Sequence, residues 1–208
     1  MKLVLFGKPG AGKGTQALAL SKIMDLPCVS MGQCLRDASG RSDMDGALAQ
    51  KLIATGALAP PSYLLRILGP RFQQDCILEG FPRNLEQLDV LRASYGCPPA
   101  VLLDVSDDVV LDRLLRRKVC SVCGSTPDDQ GVPACRCAGN LVQRSDDTPS
   151  LILERLHVYN TQTAPMIAAY DRAALHVIDG SQTPSRVTDA ILRVFREQYL
   201  FKTQLSRT

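Results

Sequence analysis

Residues 7–15 read Gly-Lys-Pro-Gly-Ala-Gly-Lys-Gly-Thr directly after the apolar run Leu3-Val4-Leu5-Phe6. Glycines let a backbone turn tightly and bring successive N–H groups up to an anion, and a helix starting near Gly14 aims its positive dipole end at the same point. Gly10, Ala11, Gly12, Gly14 and Thr15 thus form a cradle for phosphate oxygens, with Lys13 as a mobile cation beside it. Loops of this kind place Ser or Thr directly after the lysine; here that place is Gly14, and Thr15 follows one residue later. The chemistry expected from this segment is nucleotide binding.

A second chemical signal comes from cysteine. Of the eight cysteines, Cys28, Cys34, Cys76 and Cys97 stand singly and read as small thiols in a reducing compartment. The others cluster: Cys120-Ser-Val-Cys123, then eleven residues, then Cys135-Arg-Cys137. Two close pairs can close a tetrahedron of thiolates around a structural zinc ion, and the intervening residues, rich in Pro, Asp and Gly, could not otherwise build a core. The second pair has one intervening residue rather than two, which admits a distorted site, a site that has lost its metal, or a disulfide-capable loop. His157 and His176 read as structural or surface residues rather than ligands.

The elements that must position these groups alternate. Strands are predicted at Leu3–Phe6, Pro27–Val29, Cys76–Leu78, Val101–Val105 and Leu175–Ile178. Helices are predicted at Gly14–Met24, Glu86–Ser94, Asp107–Lys118 and Ser185–Tyr199, with one more capped by Thr148 and opened by Pro149. That order, with a phosphate loop after the first strand, predicts an α/β fold with a doubly wound parallel sheet. Residues 30–59 and 119–146 break the alternation and read as insertions on the ligand side. Glu79-Gly80-Phe81-Pro82-Arg83 falls at a strand's carboxyl end, where open sheets bind ligands.

Composition bounds the remaining classes. A chain of 208 residues with 45% hydrophobic content can bury a full core, and a net charge of +3 does not argue for a nucleic-acid partner. No apolar run approaches the length of a membrane span, and the strand at Leu3 leaves no room for a signal peptide, so the expectation is a cytoplasmic protein with no membrane partner.

In their order and spacing the motifs resemble the adenylate kinase family of nucleoside monophosphate kinases. The resemblance runs through the loop Gly7–Gln16, Ser30–Arg36, Gly80–Arg83 with Gln87, Asp112-Arg113 and Arg117, Gln143-Arg144-Ser145-Asp146-Asp147, Glu154-Arg155-Leu156 and Thr163-Ala164-Pro165. It implies the P-loop nucleotide kinase type of sheet, with a core at 1–29, 60–115 and 148–208, a monophosphate-binding insertion at 30–59, and a cysteine-containing lid at 116–147. The implied reaction is phosphoryl transfer from Mg-ATP to AMP, giving two ADP, in a monomer.

Such a transfer brings two polyanions together and spreads negative charge over the moving group, so positive charge must surround it. The resemblance assigns Lys13, Arg83, Arg113, Arg117, Arg144 and Arg155 to that task, with Arg113 and Arg117 expected on one helix face. It assigns ATP to Gly10, Ala11, Gly12, Lys13, Gly14, Thr15, Arg117 and Gln182. AMP falls to Met31, Arg36, Ala57, Leu58, Ala59, Gly80, Phe81, Pro82, Arg83, Gln87, Arg144 and Arg155. The cofactors implied are Mg2+ with ATP and structural Zn2+ on Cys120, Cys123, Cys135 and Cys137. Gly139 and the Asp146-Asp147 pair stand where a lid would hinge, although two aspartates before a helix also read as a cap and loop solvation.

Three residues depart from the family pattern. Met31 stands where the family has threonine beside the acceptor base, and Gln33 and Glu79 replace aspartates that order water around magnesium. These leave open the same chemistry on GMP, CMP or UMP, or a non-catalytic nucleotide switch. A zinc-ribbon nucleic-acid binder fits less well, because the cysteine segment lacks interleaved aromatics and carries Asp128 and Asp129.

Overall fold

All six residues of strand β1 (Lys2–Gly7) are buried, because the strand is covered on both faces. The computed structural model describes residues 2–124, 126, 137 and 139–205, the last ten as backbone. After β1 come α1 (Lys13–Met24), β2 (Cys28–Ser30), α2 (Met31–Ser39), α3 (Met44–Thr55) and α4 (Pro61–Leu68). Next are β3 (Cys76–Glu79), α5 (Leu85–Tyr95), β4 (Ala100–Asp104), α6 (Asp107–Arg116) and a hairpin of β5 (Lys118–Cys120) and β6 (Leu141–Gln143). The chain closes with α7 (Pro149–Val158), a π-helical turn at Tyr159–Thr163, α8 (Ala164–Ala168), β7 (Leu175–Asp179) and α9 (Pro184–Leu205).

The main sheet is parallel throughout, in the order β2-β3-β1-β4-β7. Alternate residues of a strand face opposite sides, and the apolar clusters follow that period. Leu3 and Leu5 pack with Ala17, Leu20, Val110, Leu114, Ile152, Ile191 and Phe195, so α1, α6, α7 and α9 cover one face. Val4 and Phe6 pack on the other with Leu78, Leu88, Leu91 and Tyr170. Cys34, Ala38, Ala49 and Leu52 of α2 and α3 belong to this second cluster, so residues 30–59 share the main core.

The order places β1 and β3 side by side, and the phosphate loop therefore lies beside the Glu79–Arg83 turn. Asn84 fixes that turn to α5, its side-chain oxygen accepting from the Gln87 N–H at 3.0 Å. Asn84→Ala should lower stability by about 1 kcal/mol, read as a shifted midpoint in urea unfolding with an unchanged slope.

Three sequence expectations are revised. Residues 61–75, left without an element, contain α4, whose Tyr63, Leu64 and Leu68 are buried and whose first residue is proline, tolerated there because its missing N–H has no helical partner. The helix expected to reach Lys118 stops at Arg116: Arg117 is extended (φ −62°, ψ 126°), and Lys118–Cys120 pair antiparallel with Leu141–Gln143. Arg113 and Arg117 therefore do not share a helix face. The closing helix starts at Pro184 and runs beyond Tyr199 to Leu205.

Candidate active site

The phosphate loop is shaped by close packing as much as by glycine flexibility. Gly10 has φ +84°, and a Cβ there would lie 2.9 Å from both the Val110 carbonyl and the Leu114 side chain, so α6 presses directly on the loop. Lys8 ties the loop to the same helix, its Nζ meeting Asp107 at 2.6 Å and donating to the Val105 carbonyl at 2.9 Å. Lys13 folds back over the loop and donates to the carbonyls of Gly7 and Lys8, both at 2.8 Å.

Burial pushes the Lys13 ammonium down from its usual 10.5 to about 7; Glu79 opposes the shift, while Arg83, Arg155 and Arg117 add to it. Glu79 accepts from the Ser30 hydroxyl at 2.5 Å. Burial alone would raise the Glu79 carboxyl, but Lys13, Arg83, the Ser30 bond and Arg36 together hold it below the ordinary carboxylate range. It is thus an anion set among cations.

The loop opens into a cavity of about 690 Å³ at the carboxyl ends of the strands. All six residues assigned to catalysis line it: Lys13, Arg83, Arg113, Arg117, Arg144 and Arg155. On the loop side Gly10, Ala11, Gly12, Gly14 and Thr15 also line it, as does Gln182. From the assigned acceptor set, Arg36, Ala57, Leu58, Gly80 and Pro82 join them. Met31, Ala59, Phe81 and Gln87 lie behind the wall, each at most 5% exposed. The Gln87 amide is committed to the backbone, accepting from Arg83 N–H at 2.8 Å and donating to the Ala59 carbonyl at 2.9 Å.

Neutral groups hold some of the arginines, and a shared pair of aspartates holds the others. Arg113 donates to the carbonyls of Gly180 and Ser181 at 2.8 and 3.2 Å. Arg36 donates to Gln33 Oε1 at 2.9 Å, and Gln33 Nε2 donates to Asp37 at 2.8 Å. Burial and then the charge of Arg144 pull Arg36 down to about 10, against the pull of Asp146 and Glu79. Arg144 grips Asp146 with two bonds of 2.9 and 2.6 Å. Arg117 grips Asp147 with bonds of 2.7 and 2.5 Å, and Arg155 reaches the Asp146 carbonyl at 2.9 Å and Asp147 Oδ1 at 3.2 Å. These aspartates are counter-ions for arginines, neither solvated loop residues nor a helix cap; Thr148 supplies the cap.

Sequence reasoning missed several residues of the cavity wall. Arg71, Asp37 and Tyr159 line it outside every motif of the resemblance, and Cys34 lines it beside Arg71. Burial raises the Cys34 thiol, and a hydrogen bond with Arg71 opposes that shift. Only the pairing of α2 with the Gly69–Phe72 turn brings them together, which no local pattern announces.

On the hairpin, the sulfurs of Cys120, Cys123 and Cys137 lie within 4.8 Å of one another, while Cys135 is outside the described residues. Thiolates about 2.3 Å from a tetrahedral zinc stand about 3.8 Å apart, so this grouping fits a zinc ion. The Gly124 N–H turns back onto the Cys120 carbonyl at 2.9 Å, the tight turn that brings the first two sulfurs together. Cys123, Gly124 and Thr126 also reach the cavity wall, so the hairpin lies over its mouth.

A parallel sheet carrying a phosphate loop after its first strand, with a ring of arginines over that loop, defines a P-loop nucleotide kinase. Residues 5–175 match the family described as Adenylate kinase. The chain is 40% identical to the adenylate kinase of Moorella thermoacetica, over 93% of this chain and 97% of that protein. It is 38% identical to the adenylate kinase of a Geobacter species, over 94% and 100%. Identity to the adenylate kinase of Clostridium tetani is 35%, over 93% and 98%. The chain belongs to the adenylate kinase family.

Proposed function

We propose that this protein catalyses reversible transfer of the terminal phosphoryl group of Mg-ATP to AMP, giving two ADP. The observation that carries this reading is the convergence of Lys13, Arg36, Arg83, Arg113, Arg117, Arg144 and Arg155 on one cavity. An oxygen of the AMP phosphate attacks the terminal phosphorus, the bond to the bridging oxygen breaks, and that oxygen keeps its electron pair as part of the product ADP. The attacking oxygen is already ionised at neutral pH, so no general base is required. Rate comes from holding the two nucleotides in line and meeting the developing charge with preplaced cations.

In this reading the phosphate loop with Lys13 takes the ATP phosphates, and Arg113 and Gln182 flank the donor's other end. Arg36 and Arg83, with the backbone at Ala57 and Leu58, take AMP. Arg117, Arg144 and Arg155 close over both. Magnesium would neutralise charge on the ATP phosphates, and Glu79, a cavity-wall carboxylate that interacts with Lys13, is the group that would face it. Residues 30–59 act as the acceptor insertion, 116–147 as the lid, and the remainder as the core of a cytoplasmic monomer. No helix among the described residues is long and apolar enough to cross a membrane.

The lid shields the reaction from water, and zinc on Cys120, Cys123 and Cys137, with Cys135 as fourth ligand, would stiffen it without touching substrate. Protein purified without chelator should contain about one zinc per chain by elemental analysis, and Cys120→Ser should lose it. Substoichiometric metal in active, folded protein would remove zinc from the account.

The deciding assay is ADP formation from Mg-ATP with AMP, GMP, CMP, UMP or no acceptor. Turnover confined to AMP is the expected result. Preference for another monophosphate would keep the chemistry and reassign the acceptor, while folded protein that binds ATP but turns over none would leave a nucleotide switch.

A further inference from the structure

Arg83, like Arg36 and Arg113, is held among the described residues by neutral groups rather than by an ion pair. Arg117, Arg144 and Arg155 are each fixed by a carboxylate, whereas among the described residues Arg83 has no carboxylate within ion-pairing distance. Neutral groups hold it instead. Its backbone N–H donates to Gln87 Oε1 at 2.8 Å, its Nε donates to the Gly80 carbonyl at 2.9 Å, and its own carbonyl accepts from the Thr163 hydroxyl at 2.8 Å. The guanidinium lies close against Gly80 (φ +79°), where a Cβ would come within 2.8 Å of Arg83 Nη2.

Thr163 is the remote member of this set, eighty residues along the chain and 6% exposed. It ends the π-helical turn Tyr159–Thr163, whose wide spacing is marked by the Ala164 N–H reaching back to the Tyr159 carbonyl. An α-helix turns about 100° per residue, so one residue of widening rotates everything after it to a new face. Pro165, which lacks an N–H and crowds the preceding turn, accounts for some widening. It does not account for where the hydroxyl points, nor for both ends of the turn, Tyr159 and Thr163, reaching the cavity wall.

We propose that Thr163 is a positioning residue for the reaction: the π turn aims its hydroxyl at the Arg83 carbonyl and so sets the guanidinium against the acceptor phosphate. This rests on the reading of the chain as an ATP:AMP phosphotransferase. With no ion pair to correct its aim, Arg83 depends on the backbone that Thr163 and Gln87 fix from opposite sides.

The test is steady-state kinetics on wild type, Thr163→Val, Thr163→Ser, Arg83→Lys and the Val/Lys double variant, with AMP and ATP affinities by calorimetry. Valine keeps the shape and removes the hydroxyl; serine restores it. Thr163→Val should lower kcat/KM for AMP by about 10–100-fold and weaken AMP binding by about tenfold, with ATP affinity within about twofold of wild type. Thr163→Ser should stay within about threefold. In the Arg83→Lys background the valine substitution should cost less than about threefold, because the group it positions is gone. Melting curves keep every assay below the transition. Equal losses in AMP and ATP affinity, near-wild-type behaviour of Thr163→Val, or the same loss in both backgrounds would overturn the proposal. Wild type inactive with every acceptor would overturn the phosphotransferase reading instead, and the AMP titrations would still decide the role of Thr163.

Discussion

Replacing Lys13 by methionine should lower phosphoryl-transfer turnover, read as ADP formation from Mg-ATP and AMP, by about 10²–10³-fold, the scale on which removal of one preplaced charge-stabilising donor acts. Methionine preserves the length and apolar stem, and the Lys8 carbonyl keeps its bond from the Ala11 N–H, so the loop retains its shape. The same residue gives a pH signature. Burial takes its ammonium from 10.5 to about 7, so between those values the unfolded chain binds the proton more tightly. This group therefore lowers stability as the pH falls from about 10.5 to about 7 and contributes no further slope below that.

A polyanion beside Lys13 favours the charged form and raises its pKa. Nucleotide binding above pH 7 then takes up a proton, and affinity weakens as the pH rises through that window. Calorimetry of ATP binding at pH 8 in two buffers of different protonation enthalpy should show uptake of part of a proton by wild type and none by Lys13→Met. Because Glu79 props up the Lys13 pKa, Glu79→Gln should move the window to lower pH. Equal uptake in wild type and Lys13→Met would place the titrating group elsewhere.

The second large effect is on stability. Asp147 is fully buried at its side chain, with Arg117 on both oxygens and Arg155 on one, while those arginines are 19% and 17% exposed. Asp147→Asn keeps the volume but leaves the partly buried Arg117 without its carboxylate and Arg155 with Asp146 alone. Breaking a buried pair from one side costs about 3–5 kcal/mol, and the water reaching the arginines reduces this to about 2–4 kcal/mol. For a chain of this size the midpoint should fall by roughly 5–15 °C in a thermal melt. AMP or inorganic phosphate should raise the midpoint more in the variant than in wild type, since an anion then replaces the missing carboxylate. A fall of under about 1 °C would show that the arginines find other partners.

Legibility of the site in the sequence followed the range of the interactions. The phosphate loop could be read because its geometry is local: four closely spaced glycines, Lys13 and the start of the helix behind them fall within nine residues. The arginines were identified through separated motifs, but their counter-ions were not. Asp146 and Asp147 carry the same local pattern as a solvated cap, and only the return of the hairpin to α6 and α7 encloses them. Arg117 illustrates the limit well. Helical periodicity continues through it, yet the pairing of Lys118–Cys120 with a strand twenty residues further on pulls it out of the helix and onto Asp147.

Residue type, order and local spacing determined that this chain would form a doubly wound sheet, cradle phosphate after its first strand and carry paired thiols. Those properties depend on the period of apolar residues, on backbone freedom at glycine and on short-range ligand spacing, all set along the chain. The tertiary structure decided which cations face the cavity, what holds each one, and that Met31, Phe81 and Gln87 stand behind its wall. These were settled by contacts between elements tens of residues apart, where burial fixes a side chain's charge, partners and direction.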